Sequence, residues 1–436
     1  MKESDFMKYY FLGIKGAGMS ALACILNDKG NEVIGYDDDA DYTHTTGGLT
    51  ERNIKIYSDN TYEIPEGTIV VHTSALKPDH PEMVRTNGFE RYSYYQMIGI
   101  LTREHNTICV SGCHGKTTTS SMLSHVFDDT VGASYIVGDG TGLLNKESDL
   151  LILESCEYQR HFLEYDPYIT IVTNVDLDHV DYFKDMDDIK SAYVELIKNT
   201  REKALVCSDD EIASTLENDK IIFYGTNDKA YFKAVNIETS VDGTKFDFYK
   251  GNELVKHFEL PIYGKHNLQN TLAVLSLSVL LEIDLTKVEE SLKTFKGAKR
   301  RFNEEFIKNY VLIDDYAHHP NEVEAVINAV RQKYAGYKLI AFFQGHTFSR
   351  VGMFYKDFAR VLSTCDEVVL VRISKAREKE EDYPGVSMSL IKDLIPSSYH
   401  ESEYDYTRII SDEKTVVLFM SPSTMKTHID KVKEVI

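Results

Sequence analysis

The chain has 436 residues, 42% of them hydrophobic, with 48 Lys and Arg against 69 Asp and Glu, a formal net charge of −21. That length exceeds one ordinary core and predicts two or three domains, and the acidity argues against sequence-independent nucleic-acid binding, which needs a basic face. No run of eighteen apolar residues is present, so no membrane span is expected.

The opening residues M-K-E-S-D-F-M-K-Y-Y carry acids and lead straight into a strand, unlike a signal peptide. The six cysteines, Cys24, Cys109, Cys113, Cys156, Cys207 and Cys365, form no C-x-x-C pair. Free thiols in a reducing cytoplasm fit that scatter better than disulfides or structural zinc.

Apolar strand-like runs alternate with helical patterns along almost the whole chain, the signature of α/β folding with parallel sheets. A first set covers residues 9–14, 32–36 and 68–72. A second covers 107–111, 150–154 and 169–173, and a third 310–314, 339–343, 367–371 and 415–419. Between 221 and 262 short alternating strands with turn residues predict a small antiparallel addition to the middle unit. The expected domains are 1–102, Rossmann-like; 103–297, a P-loop ATPase-like centre; and 298–436, again Rossmann-like. The stretch K-A-R-E-K-E-E-D-Y (375–383) reads as a solvated loop.

After the first strand comes G-I-K-G-A-G-M-S-A, in which Gly16, Gly18 and Ala21 fit G-x-G-x-x-[GA]. Small residues there let a diphosphate approach the backbone at a helix N-terminus. Asp37, ending the second strand, can bond a ribose hydroxyl. The blander reading is a glycine turn that only packs helix on strand. Taken alone, this motif would also suit a nicotinamide dehydrogenase.

The sharpest motif is S-G-C-H-G-K-T-T-T-S (111–120), between a strand and an apolar-striped helix. Gly112, Cys113, His114 and Gly115 would cradle phosphates with Lys116, Thr117 and Thr118; Lys116 reaches β/γ-phosphates and the Thr117 hydroxyl ligates Mg²⁺. Two residues separate the glycines where the common Walker pattern has four, which disfavours a GTPase or a motor. These features predict ATP.

Such a loop needs acids at neighbouring strand ends. Glu154 closes the run L-L-I-L, with Glu157 three residues on. The next strand delivers Asn174, Asp176, Asp178 and His179 at its carboxyl end, where open α/β sheets bind ligands. Lys116, Thr117, Glu154 and His179 are expected to converge, with oxygen donors for Mg²⁺ and the histidine at a second metal position. A lone strand-end histidine is usually structural, and here only its company argues otherwise. Downstream, Y-G-K-H-N-L-Q-N places Asn267 and Asn270 on one helical face toward an adenine edge, unless Asn267 simply caps the helix.

Taken together, G-I-K-G-A-G-M-S-A-L-A, G-C-H-G-K-T-T-T, E-S-C-E-Y-Q-R-H-F, V-T-N-V-D-L-D-H-V-D-Y-F, Y-G-K-H-N-L-Q-N, K-R-R-F, I-D-D-Y-A-H-H-P-N-E-V and F-Q-G-H-T-F-S-R run in order along the whole chain. In this the chain resembles the Mur ligase family of peptidoglycan precursor synthesis, in the branch that joins L-alanine to UDP-N-acetylmuramate. The resemblance implies a cytoplasmic ATP-dependent ligase using one or two Mg²⁺ ions and an acyl-phosphate intermediate. It implies that the first domain binds the UDP-sugar, with Gly16 and Gly18 at the diphosphate and Ser74 near the nucleotide. It assigns metal to Thr117, Glu154 and His179, adenine to Asn267 and Asn270, and the rest of the ATP site to Arg301 and Asp315. His318, His346 and Arg350 would face the amino acid and the sugar-linked carboxylate; His179 and His318 are the candidate general bases. The chain departs from the family at Cys113, where Thr is usual, at Cys156, where Asp is common, and at 419–425, which replaces a glycine-rich segment. The rivals are a sister ligase adding a preformed peptide, a dehydrogenase, and a non-catalytic ATP switch.

Overall fold

The structure is a computed structural model that describes residues 6–41, 45–177, 179, 182–374 and 378–436. Asp178 and residues 375–377 of the expected surface loop lie outside the described residues. The chain forms three α/β domains built on three sheets, the central one mostly parallel with antiparallel additions. It divides into two compact units: Met1–Val235 with Asp247–Lys256 and Gln269–Phe295, and Asn236–Phe246 with His257–Leu268 and Lys296–Ile436. No helix among the described residues is long and apolar enough to cross a membrane.

In the first sheet the strand order is Lys55–Tyr57, Glu32–Tyr36, Lys8–Leu12, Ile69–His72, Arg91–Ser93, every pair parallel. Tyr10, Phe11 and Leu12 are fully buried, as expected where both sheet faces are covered and strands read as unbroken apolar runs. The order reverses between Lys8–Leu12 and Ile69–His72, the kind of switch point where ligands bind beyond the carboxyl ends. The glycine turn and Thr73–Ala75 leave the sheet at that point, joined by the Thr73 N–H donating to the Leu12 carbonyl at 3.1 Å.

The ten-stranded sheet places Asn106–Ser111 between Ile169–Val172 and Leu150–Glu154. Val110 pairs with Glu154 and Ser111 with Val172, so the three carboxyl ends are level and their loops share one edge. Beyond Ile221–Gly225 the order continues through Phe232–Ser240, Gly243–Lys250 and Glu253–Leu260. Two-residue links at 241–242 and 251–252 make these last strands antiparallel hairpins.

The six-stranded sheet has the order Asn303–Ile307, Tyr310–Asp315, Thr415–Met420, Lys338–His346, Glu367–Ser374, Tyr399–His400. Only its first pair is antiparallel. Helices Pro320–Lys333 and Phe348–Leu362 pack their apolar faces on it through Val323, Ile327, Val330, Val351 and Phe358.

Candidate active site

Gly112 and Gly115 adopt φ of 132° and 79°, where a side chain would be strained. At Gly112 a Cβ would also collide with Thr173 Oγ1 and stand 3.1 Å from the Asn174 nitrogen. That closeness exists because the segment after strand Ile169–Val172 holds the loop. Asn174 Oδ1 accepts from the His114 N–H at 2.8 Å, its Nδ2 donates to the His114 carbonyl at 2.8 Å, and Thr173 Oγ1 donates to the same carbonyl at 2.6 Å. Cys113 is buried, its sulfur 3.1 Å from the Asp176 carbonyl, and burial pushes its thiol well up. It packs the loop rather than reacting. Helix Lys116–Thr130 follows with no side chain capping its first turn, which leaves its N–H groups and dipole to an anion.

Lys116 donates to the Gly112 carbonyl, to the Cys113 carbonyl at 3.1 Å and to Glu157 Oε2 at 3.0 Å. The Glu157 side chain has no exposed surface. Burial alone would raise its pKa, but the Lys116 ammonium and His179 hold it below the ordinary carboxylate value. Burial likewise opposes charge on Lys116, and Glu157 overrides it, keeping the ammonium charged far above neutrality. This ion pair is how a chain of net charge −21 keeps a cation in the loop.

Glu154 sits on the other side of the loop. Its Oε1 accepts from the Thr117 hydroxyl at 2.9 Å, and its Oε2 from the Gly138 N–H at 2.7 Å and the Ser120 hydroxyl at 3.4 Å. Thr117 and Glu154 therefore meet, and their oxygens suit Mg²⁺. His179, by contrast, stands with Glu157, its Nε2 3.5 Å from Oε1, and its ring 4.7 Å from that of Tyr158. His179, Gln159 and Arg160 all have left-handed backbones, φ 53°, 53° and 58°. Three such non-glycine residues, two directly after Tyr158 and one at the histidine packed on that ring, are the kind of strain that functional sites store. Glu157 was visible in the sequence only as a second acid; its pairing with Lys116 has no sequence signal.

Asn270 is buried with its Oδ1 2.9 Å from where a Gly115 Cβ would sit. Asn267 lies in the first turn of helix Lys265–Leu280, past the N-cap position, and its amide donates to the Tyr263 carbonyl just ahead of the helix at 2.9 Å.

In the first glycine turn, Gly16 is the N-cap of helix Ala17–Asp28. Asp37 is engaged locally: Oδ2 accepts from the Lys15 N–H at 2.9 Å and Oδ1 from the Asp39 N–H at 3.2 Å. Gly18 faces the Tyr94 ring, whose hydroxyl would lie 2.7 Å from an added Cβ. An added Cβ here would meet a phenol, which the motif gave no means of foreseeing. Ser74 is exposed beside the turn.

In the second unit, both Asp315 oxygens accept from backbone, from the Phe302 and Ala317 N–H groups at 2.8 Å each, and burial raises its pKa despite the nearby Arg301. Arg301 stacks on Tyr316 at 5.0 Å and approaches Glu322 at 3.9 Å. Its neighbour Arg300, unassigned by sequence, bonds Asp314 at 3.1 Å and the carbonyls of Ser421, Pro422 and Ser423 at 2.8, 3.0 and 2.8 Å. That guanidinium organises the atypical 419–425 segment. The His318 and His346 rings meet edge-on at 5.4 Å, and His318 Nδ1 lies 3.1 Å from Glu322. Arg350 lies in the first turn of helix Phe348–Leu362, its N–H donating to Thr347 Oγ1 at 3.4 Å.

Residues 8–106 match the Mur ligase family catalytic domain, 110–278 the Mur ligase middle domain, and 300–421 the Mur ligase glutamate ligase domain. Among solved structures, UDP-N-acetylmuramate-alanine ligase MurC from Thermotoga maritima is 26% identical, with a TM-score of 0.80 and 98% of each chain covered. A murein peptide ligase from Psychrobacter arcticus is 17% identical (TM-score 0.67, 98% of each chain). A pseudomurein peptide ligase type C from Methanothermus fervidus is 18% identical (TM-score 0.66, 98% of this chain and 100% of that one). The last two share the fold.

Proposed function

This chain belongs to the Mur ligase family of ATP-dependent acid–amino-acid ligases of peptidoglycan synthesis, and from that premise we propose that it joins L-alanine to the lactyl carboxylate of UDP-N-acetylmuramate in the cytoplasm. The observation that carries the reading is the loop 112–118 with Lys116 and Thr117 facing two different acids, Glu157 and Glu154, from one adjoining strand end. The choice of substrate rests on the likeness to the Thermotoga maritima enzyme, the one neighbour above whose identity exceeds a quarter.

The lactyl carboxylate attacks the γ-phosphorus of ATP, giving an acyl phosphate and ADP; the amine of L-alanine then attacks that carbonyl and phosphate leaves. In the first step two anions meet. Unit charges 4 Å apart repel by ~4 kcal/mol at an effective dielectric near 20. Lys116, kept cationic by Glu157, and the uncapped N–H groups of helix Lys116–Thr130 offset that repulsion on the phosphoryl oxygens. Mg²⁺ held by Thr117 and Glu154, with His179 at a second position, would supply further charge neutralisation. Thr173 and Asn174 keep the loop shaped for the phosphates, and Asn270 borders it on the adenine side. Gly16, Gly18 and Ser74 line the switch point for the UDP-sugar. From the third domain Arg301 and Asp315 would serve ATP, and His318, His346 and Arg350 the amino acid and the sugar-linked carboxylate.

The test is phosphate release from ATP and Mg²⁺ with UDP-N-acetylmuramate, scanning L-alanine, L-serine, glycine and a tripeptide. L-Alanine alone should support turnover; a preference for the tripeptide would reassign the chain to the peptide-adding branch. Glu154→Gln should raise the Mg²⁺ requirement steeply, and an unchanged titration would remove Glu154 from the metal site.

A further inference from the structure

The turn after strand Leu150–Glu154 carries a thiol for which the ligase reaction has no use. The Cys156 sulfur, a Glu157 carboxylate oxygen and a His179 imidazole nitrogen all lie within 4.8 Å of one another. The His179 Nε2 to Glu157 Oε1 distance is 3.5 Å. Two ligands ~2.1 Å from a tetrahedral ion stand ~3.4 Å apart, so this pair is already at ion-sharing separation. Cys156 and His179 are half-buried and open to an arriving ion, whereas Glu157 is fully buried. The donor set differs in kind from Thr117 and Glu154. Sulfur and nitrogen with one carboxylate favour Zn²⁺, while oxygen alone favours Mg²⁺. Three protein ligands with a fourth position left for water is an established zinc arrangement.

We propose that Cys156, Glu157 and His179 form a Zn²⁺-selective site beside the phosphate loop, and that filling it switches ATP use off. The thiol proton leaves to solvent as the thiolate binds. The ion engages Glu157 at Oε1 while Lys116 holds Oε2 at 3.0 Å, so a divalent charge arrives next to the lysine whose counter-ion it shares. It also takes His179 from the working metal. The inhibitory half rests on the roles given above to Lys116 and His179; the binding half rests on the cluster alone.

Co²⁺ is the probe, added to the full-length metal-free protein without substrates. One equivalent should give a thiolate-to-cobalt charge-transfer band with tetrahedral visible bands, both displaced by Zn²⁺ and both lost in Cys156→Ser and Cys156→Asp. A spectrum without the thiolate band, or a band that persists in folded Cys156→Ser, overturns the site. In the Mg²⁺-ATP phosphate-release assay Zn²⁺ should inhibit the unmodified protein, with Cys156→Asp roughly tenfold or more less sensitive. Equal sensitivity overturns the switch. Because the Co²⁺ titration uses neither ATP nor sugar nucleotide, failure of the ligase reading leaves its result readable on its own.

Discussion

Replacing Lys116 with Met would leave a carboxylate with no exposed surface and only the His179 imidazole, 3.5 Å away, beside it. At the observed 3.0 Å the attraction between the two charges is ~5.5 kcal/mol at an effective dielectric near 20. The desolvation of Glu157 persists in the variant, so the expected loss of stability is roughly 3–5 kcal/mol, the range for breaking a buried pair. Glu157→Gln should cost a comparable amount by stranding the ammonium. The double variant, with neither charge, should cost less than the sum of the two by about 2–3 kcal/mol. Urea unfolding of nucleotide-free protein, followed by two probes because a multidomain chain unfolds in steps, gives the cycle. The pH dependence has a definite sign. Glu157 titrates below its ordinary 4.5, so its share of the stability is present above pH 4.5 and is lost as pH falls through its lower folded value. Lys116 titrates above its ordinary 10.5, so its share is complete below pH 10.5 and is lost only beyond it. The coupling should be flat across neutrality and fade in acid. Single-variant costs that add to within ~0.5 kcal/mol would refute the ion pair as the element that holds the loop's cation.

Gly112→Ala should distort the phosphate loop by forcing a Cβ onto Thr173 at a left-handed φ, weakening ATP binding while binding of UDP-N-acetylmuramate survives; calorimetry with each ligand separates the two. His266 provides an acid switch in stability. Burial, with the Arg301 charge nearby, lowers its pKa from 6.5 to about 4, so the unfolded chain binds the extra proton first and stability falls as pH drops from 6.5 toward 4. The loss is at most about 3 kcal/mol, and His266→Gln should flatten that window of the stability profile.

Much of the architecture was legible because it rests on local rules. Unbroken apolar runs such as Y-Y-F-L and L-L-I-L announce strands buried on both faces, and G-C-H-G-K-T needs glycine wherever the loop takes a positive φ. Asn267 shows a limit of the same reasoning, since the spacing that puts it on a shared face with Asn270 says nothing of the Tyr263 carbonyl to which its amide also returns. Tyr94 shows another, since nothing around Gly18 says that a phenol more than seventy residues later is what an added Cβ would meet.

From residue order alone come the alternating elements, the turns that only glycine can make, the lysine and threonine of the loop, and the acids that must end its neighbouring strands. Those follow from backbone sterics and from the two-residue and 3.6-residue periods, which act over a few positions. Which acid meets which partner was decided by the tertiary structure: Glu154 takes Thr117, and Glu157 takes Lys116 and His179. Three residues apart on a tight turn, the two acids read alike in one dimension. The strands on either side of the loop level their carboxyl ends, and that three-dimensional alignment puts one in reach of a hydroxyl and buries the other against an ammonium.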